Sequence, residues 1–107
     1  MKIKVPIKLK IASHEYTIKD DEQALKSAST VGEARHIYHD ILIDFNRVSS
    51  EVTQTFLHEY LHCIERFWNV KIDDNDVDRL AEGVAVLFNN LNIEFDWSDI
   101  KDGGRNE

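Results

Sequence analysis

TFLHEYLHCIE, residues 55–65, decides how this chain of 107 residues is read. If the stretch is helical, His58 and His62 stand about 40° from each other around the axis and one turn apart along it. Both imidazoles then point the same way. Glu59 lies about 100° further round, beside the pair rather than on it. The flanking residues make the helix. Ser49 or Ser50 can cap it, and Glu51 is favourable in its first turn, at the positive end of the helix dipole. Val52, Phe56, Leu57, Tyr60, Leu61, Cys63, Ile64, Phe67 and Trp68 fill one broad apolar arc, which predicts burial of that side. Thr55, His58, His62, Glu65 and Arg66 take the narrow face left over. Asn69 ends the helix.

Two imidazoles on one face can bind a single metal ion. Glu59 is then where a carboxylate must be to take a proton from metal-bound water, which is the logic of HExxH. The competing reading is a pair of surface histidines with no ion between them. Against it, the pattern falls inside a strongly periodic helix and on the face that the core does not use. Cys63 points toward the apolar side and reads as a buried small residue rather than a ligand. Tyr60, Phe67 and Trp68 read as core rather than as an aromatic substrate box.

Downstream, Asp73 or Asp74 can cap a second helix running to about Leu91, with Val77, Leu80, Ala81, Val84, Leu87, Phe88 and Leu91 as its apolar stripe. A catalytic zinc takes a third protein ligand and keeps a fourth position open. The candidates are Glu65, Asp74, Asp76, Asp78 and Glu82. Asp78 sits at the rim of the stripe beside Ala81 and Ala85, whose small side chains let two helices approach. Glu82 is one turn later. Glu65 shares the histidine face and is better placed to orient a ligand or touch substrate.

Upstream, residues 2–11 and 15–19 alternate at period two and predict an N-terminal hairpin, with Pro6 suited to an edge or a bulge. Residues 20–30 are polar, a short helix or a loop. Residues 32–45 predict a second strand pair, opened by Gly32, turning at Tyr38, His39 and Asp40, with Ile41, Leu42 and Ile43 as the strand core. The expected fold is therefore α+β: a small antiparallel or mixed sheet of about four strands packed on the HExxH helix and a second, ligand-bearing helix. The length suits one domain, residues 1–107, with the hairpin in 1–19, the active-site core in 32–91 and a frayed tail at 103–107. Part of the stretch after Asn92, with Phe95, Trp97 and Ile100, is expected to pack as a strand or turn.

Net charge is −7, which argues against a nucleic-acid phosphate binder, since such a protein wants a basic stripe. No apolar run approaches the roughly 18 residues of a membrane span, and the N-terminus lacks the apolar block of a signal peptide. With Cys63 as its single cysteine the chain has no intrachain disulfide, and a cytoplasmic protein is expected.

The run HEYLHCIERFWNVKIDDNDVDRLAEGVAVLF resembles the active-site half of small phage- and mobile-element-type zinc metallopeptidases, minimal zincins related to the ImmA/IrrE group. The resemblance covers about residues 32–91. In that group the second helix carries an acidic ligand in the pattern acid-x-x-Ala-x-x-apolar-Ala, which falls here on Asp78, Ala81, Val84 and Ala85. Aspartate stands where the group typically has glutamate, one methylene shorter, so Glu82 stays in play. The resemblance implies a zincin-like fold, a zinc ion held by His58, His62 and Asp78, and hydrolysis of peptide bonds in a protein or peptide substrate with Glu59 as general base. It also implies that substrate adds as a strand to a sheet edge, expected within residues 41–45. Tyr38, His36, His39 and Arg66 are the candidates for stabilising the oxyanion. The alternatives are a catalytically silent zincin-fold binding module and a structural zinc site closed by a fourth ligand such as Glu65.

Overall fold

The computed structural model describes residues 1–103. Six strands and four helices follow in the order β1 (Lys2–Lys4), β2 (Lys8–Ile11), β3 (His14–Lys19), α1 (Glu22–Ser27), β4 (Gly32–Arg35), β5 (Asp40–Ile43), α2 (Ser49–Trp68), α3 (Asp74–Asn90), β6 (Glu94–Asp96) and α4 (Ser98–Gly103). Four strands make one mixed sheet in the order β2-β3-β5-β4, antiparallel except for the parallel pair β3 and β5. This is an α+β fold with a four-stranded mixed sheet. The frayed tail expected at 103–107 lies outside the described residues except for Gly103, which ends α4.

The hairpin expected in residues 2–19 is shorter than the alternation suggests. Pro6 interrupts it: β2 and β3 pair with Lys8 opposite Thr17, while β1 breaks away and pairs in parallel with β6 in a separate two-stranded sheet. A proline has no N–H to give a ladder, so continuous pairing through Pro6 would leave a gap. The Met1 amino group donates to the Asn92 carbonyl, which extends the tie between these two segments.

Strand β5 lies inside the sheet, between β3 and β4, and all four of its residues are buried. That corrects the expected edge within residues 41–45: the edge strand beside α2 is β4. Ile41, Leu42 and Ile43 are thus buried on both faces of the sheet. The core lies between one sheet face and α2. Ile11, Tyr16, Ile18, Ile41 and Ile43 meet Val52, Phe56 and Cys63, and Phe45, Trp97 and Ile100 close one end. Leu25 of α1 and Leu42 are buried outside this cluster.

Asp40 is the polar exception in the sheet. It is 1% exposed and receives a two-pronged ion pair from Arg35, Nε to Oδ1 at 2.8 Å and Nη2 to Oδ2 at 2.6 Å. The Lys19 ammonium stands 3.5 Å from the same carboxylate. Arg35 and Asp40 face each other in the β4–β5 register, so this pair closes the strand pair at its turn end.

Helix α2 starts one residue away from the expected cap. Val48 is the N-cap, extended and without a side-chain hydrogen bond, and the Glu51 and Val52 N–H groups bond back to its carbonyl. Asn69 ends the helix as expected, in the left-handed conformation at φ 54° that asparagine tolerates. Asp73 caps α3 by accepting from the Asn75 N–H at 2.9 Å. Two readings of apolar residues fail. Trp68, read as core, is more than half exposed, at the last residue of α2. On α3 only Val77 and Ala81 are buried, and much of the remaining stripe faces outward.

Cys63 is fully buried, and burial pushes its thiol up to about 12. The thiolate is the reactive species. Thiol reagents at pH 8 are therefore expected to leave the native protein unlabelled and to modify one cysteine per chain in denaturant. Rapid labelling of the folded protein would contradict this burial.

Candidate metal centre

The two histidines converge as the helical spacing requires. His58 Nε2 and His62 Nε2 are 3.1 Å apart. Two nitrogens bound to one tetrahedral zinc at its usual bond length would stand roughly 3.3 Å apart, so the pair needs little movement to hold one. Each ring is held from behind. Asp78 Oδ1 lies 2.7 Å from His58 Nδ1, and Glu65 Oε1 lies 2.8 Å from His62 Nδ1. A carboxylate on Nδ1 fixes the tautomer in which Nε2 has a free lone pair, the usual arrangement behind metal-binding histidines. The donor set thus fits two of the ligands of a zinc ion.

The acids expected to complete the set are placed differently from one another. Asp78 comes from α3 to the same histidine, but to Nδ1, the far side of the ring from the Nε2 pair. Glu82 is exposed, one turn along α3. Glu65 has both oxygens engaged, Oε1 with His62 and Oε2 accepting from the Ile72 N–H at 3.1 Å. Those bonds, the one from Ile72 first, hold its carboxyl below the usual range. Glu65 thereby ties the end of α2 to the last part of the connection, just before the cap of α3, and both of its oxygens are already engaged. Among the described residues no three His, Cys, Asp or Glu stand together as a ready-made metal cage.

Glu59 is only 8% exposed, because the edge strand β4 lies against its side of α2. Burial pushes its pKa up, against the opposing pull of His58, His62 and the Ala34 backbone N–H. The strand can come this close only at Gly32. A Cβ there would stand 2.4 Å from Thr55 Cγ2 and 3.3 Å from Glu59 Oε2. Thr55 Cγ2 is a short branch with few places to go. Gly32→Ala is therefore expected to cost about 1–3 kcal/mol, the usual range for overpacking, read as a lower melting temperature. Adding Thr55→Ser, which removes Cγ2, should restore most of the loss. Equal destabilisation in the single and double variants would show that contact with Thr55 is not the cause.

A cleft runs along this seam in two lobes that share Gly32, His58 and Glu59. One, of about 440 Å³, extends toward the start of α2 past Thr55 and Asp78. The other, of about 860 Å³, extends toward its end past His62 and Glu65 and is also lined by His36 and Arg66. Of the four oxyanion candidates these two line the cleft. Tyr38 is exposed and lies under the Arg35 guanidinium, and His39 stacks on Tyr16. His36 Nδ1 is 2.7 Å from the hydroxyl of the buried Tyr16. Burial first, then Arg66, His62 and His39, push the His36 pKa down. Sequence reasoning missed Tyr16 as the residue that orients His36, since nothing local links positions 20 apart. No family model, curated protein or solved structure matches this chain.

Proposed function

We propose that this chain is a zinc-dependent metallopeptidase of minimal zincin type, hydrolysing peptide bonds in a protein or peptide substrate. One observation carries the reading: two histidine Nε2 atoms 3.1 Å apart, each backed by a carboxylate, open onto a cleft that also contains a buried glutamate. Zinc bound there supplies Lewis acidity to the scissile carbonyl and to the attacking water. His58 and His62 hold the ion, with Asp78 and Glu65 orienting them. To serve as a third ligand, Asp78 would have to leave His58 Nδ1, on the far side of the ring from the Nε2 pair. Glu59 takes the proton of the attacking water and passes it to the leaving amine nitrogen. His36 and Arg66 face the developing oxyanion. An extended peptide lies along β4, the edge beside the cleft, rather than along β5.

The test is metal content followed by cleavage. One zinc per chain is expected, lost in His58→Ala and in His62→Ala. Asp78→Ala should weaken zinc at least about tenfold, the low end for an orienting carboxylate, and Glu82→Ala should leave it unchanged. Hydrolysis of an unfolded protein substrate should stop with a chelator and return with zinc. A folded protein that takes up no zinc would end this reading.

A further inference from the structure

His36 stands one residue past the end of β4, in the turn that leads to β5. A turn side chain swings unless something holds it. The hold comes from β3, two strands away in the sheet. Tyr16 on that strand is fully buried, its ring stacked on His39 at 5.3 Å between centroids and meeting Phe67 edge-on at 5.9 Å. Its hydroxyl lies 2.7 Å from His36 Nδ1.

The direction of that hydrogen bond follows from a count of partners. Either the phenol donates to Nδ1, or Nδ1–H donates to the phenol oxygen. Among the described residues the hydroxyl has His36 as its one hydrogen-bond partner, and Tyr16 has no access to water. Were Nδ1–H the donor, the phenol proton would be buried with nothing to accept it, which folded proteins avoid. The phenol therefore donates and Nδ1 accepts. A neutral imidazole has one N–H, so the proton of His36 sits on Nε2. Burial pushes the Tyr16 pKa up, so the phenol keeps its proton. Burial and then Arg66, His62 and His39 push the His36 pKa down, which favours the neutral ring. The two ring nitrogens point away from each other. With Nδ1 turned in toward Tyr16, Nε2–H turns outward, and His36 lines the cleft lobe that contains His58, Glu59 and His62.

We propose that Tyr16 is a positioning residue that fixes His36 as a neutral Nε2–H donor aimed into the cleft, toward the carbonyl oxygen of the scissile bond. What the donor meets rests on the metallopeptidase reading; which nitrogen carries the proton does not.

Long-range proton–nitrogen NMR spectra of protein labelled with 15N-histidine read the protonated nitrogen of each ring. The His36 signal is assigned by its loss in His36→Gln. Near neutral pH, Nε2 should carry the proton and Nδ1 should show the shift of a hydrogen-bonded acceptor. Tyr16→Phe removes only the hydroxyl and should move Nδ1 to the shift of a free acceptor. With unfolded casein as substrate, its kcat should fall about tenfold, less than the roughly 100-fold that outright loss of an oxyanion donor costs. KM and zinc per chain should not change. His36→Gln, whose amide donates without charge, should keep more activity than His36→Ala. A Tyr16 that only fills the core would lower stability in Tyr16→Phe and leave kcat alone, and that result overturns the proposal. So does a parent protein with His36 protonated on Nδ1. If Tyr16→Phe does not fold, the parent spectrum and the two His36 variants decide, and equal losses in His36→Gln and His36→Ala overturn it. A zinc-loaded parent that cleaves nothing ends the metallopeptidase reading and the oxyanion role with it, while the spectrum still decides the tautomer.

Discussion

Glu59→Gln is expected to reduce peptide hydrolysis by at least about 100-fold, the low end of what a positioned general base contributes, with zinc content unchanged. The glutamine has the same shape and can still accept from the Ala34 N–H, but it cannot take a proton from water. The same burial that pushes the glutamate pKa up means that the uncharged replacement costs nothing in solvation. Its melting temperature should equal or exceed the parent's. That combination separates a chemical role from a packing one, because a packing role would lower stability together with activity. Substrate turnover and zinc per chain are the two measurements. A variant that turns over at the parental rate would remove Glu59 from the mechanism and leave the histidine pair as a binding site only.

Arg35→Ala should be the most destabilising of the substitutions considered. It strips the two-pronged partner from Asp40, a carboxylate with almost no access to water. Removing one member of a buried pair costs roughly 3–5 kcal/mol. Lys19 remains 3.5 Å away and part of the Arg35 side chain is already solvated, so about 2–4 kcal/mol is expected here. For a chain of this size that is a fall in melting temperature on the order of 10–20 °C. The double variant Arg35→Ala with Asp40→Ala should be less destabilised than the two single losses added together, since no orphan charge then remains. Additive losses would mean that the pair is not coupled. The consequence reaches the cleft, because β4 is held to β5 by this pair at one end and to α2 by Gly32 at the other.

What could be read from the sequence divides along the range of the interactions. His58, Glu59 and His62 were legible because helical spacing alone puts them together. Cys63 was legible as buried because it falls on the apolar arc of the same helix. Asn69 and Asp73 were legible as punctuation because their side chains favour those conformations. The strand pairing was not. Alternation in residues 2–11 runs straight through Pro6, and only the presence of β6 as a second partner explains where β1 goes. The run Ile41-Leu42-Ile43 was recognised as a strand, yet its central position depends on the parallel pairing with β3, which no local pattern encodes. The position of Asp78 was foreseen only as far as its helix. Which nitrogen of His58 it meets depends on how α3 is rotated against α2, and sequence periodicity carries no such information. The leucines of α3 show the same limit: their spacing marks an apolar face, but not what lies opposite it.

The parallel pairing of β1 with β6 has a consequence in time. Lys2 meets Glu94, about 90 residues away along the chain. Closing a flexible loop of that length costs about 4 kcal/mol of entropy, for two strands of three residues each. That pairing is worth forming only after the four-stranded sheet and α2 have already drawn the two segments near one another. It should therefore be the last step of folding and the first to open. Its amides should exchange with solvent well before those of β3 and β5.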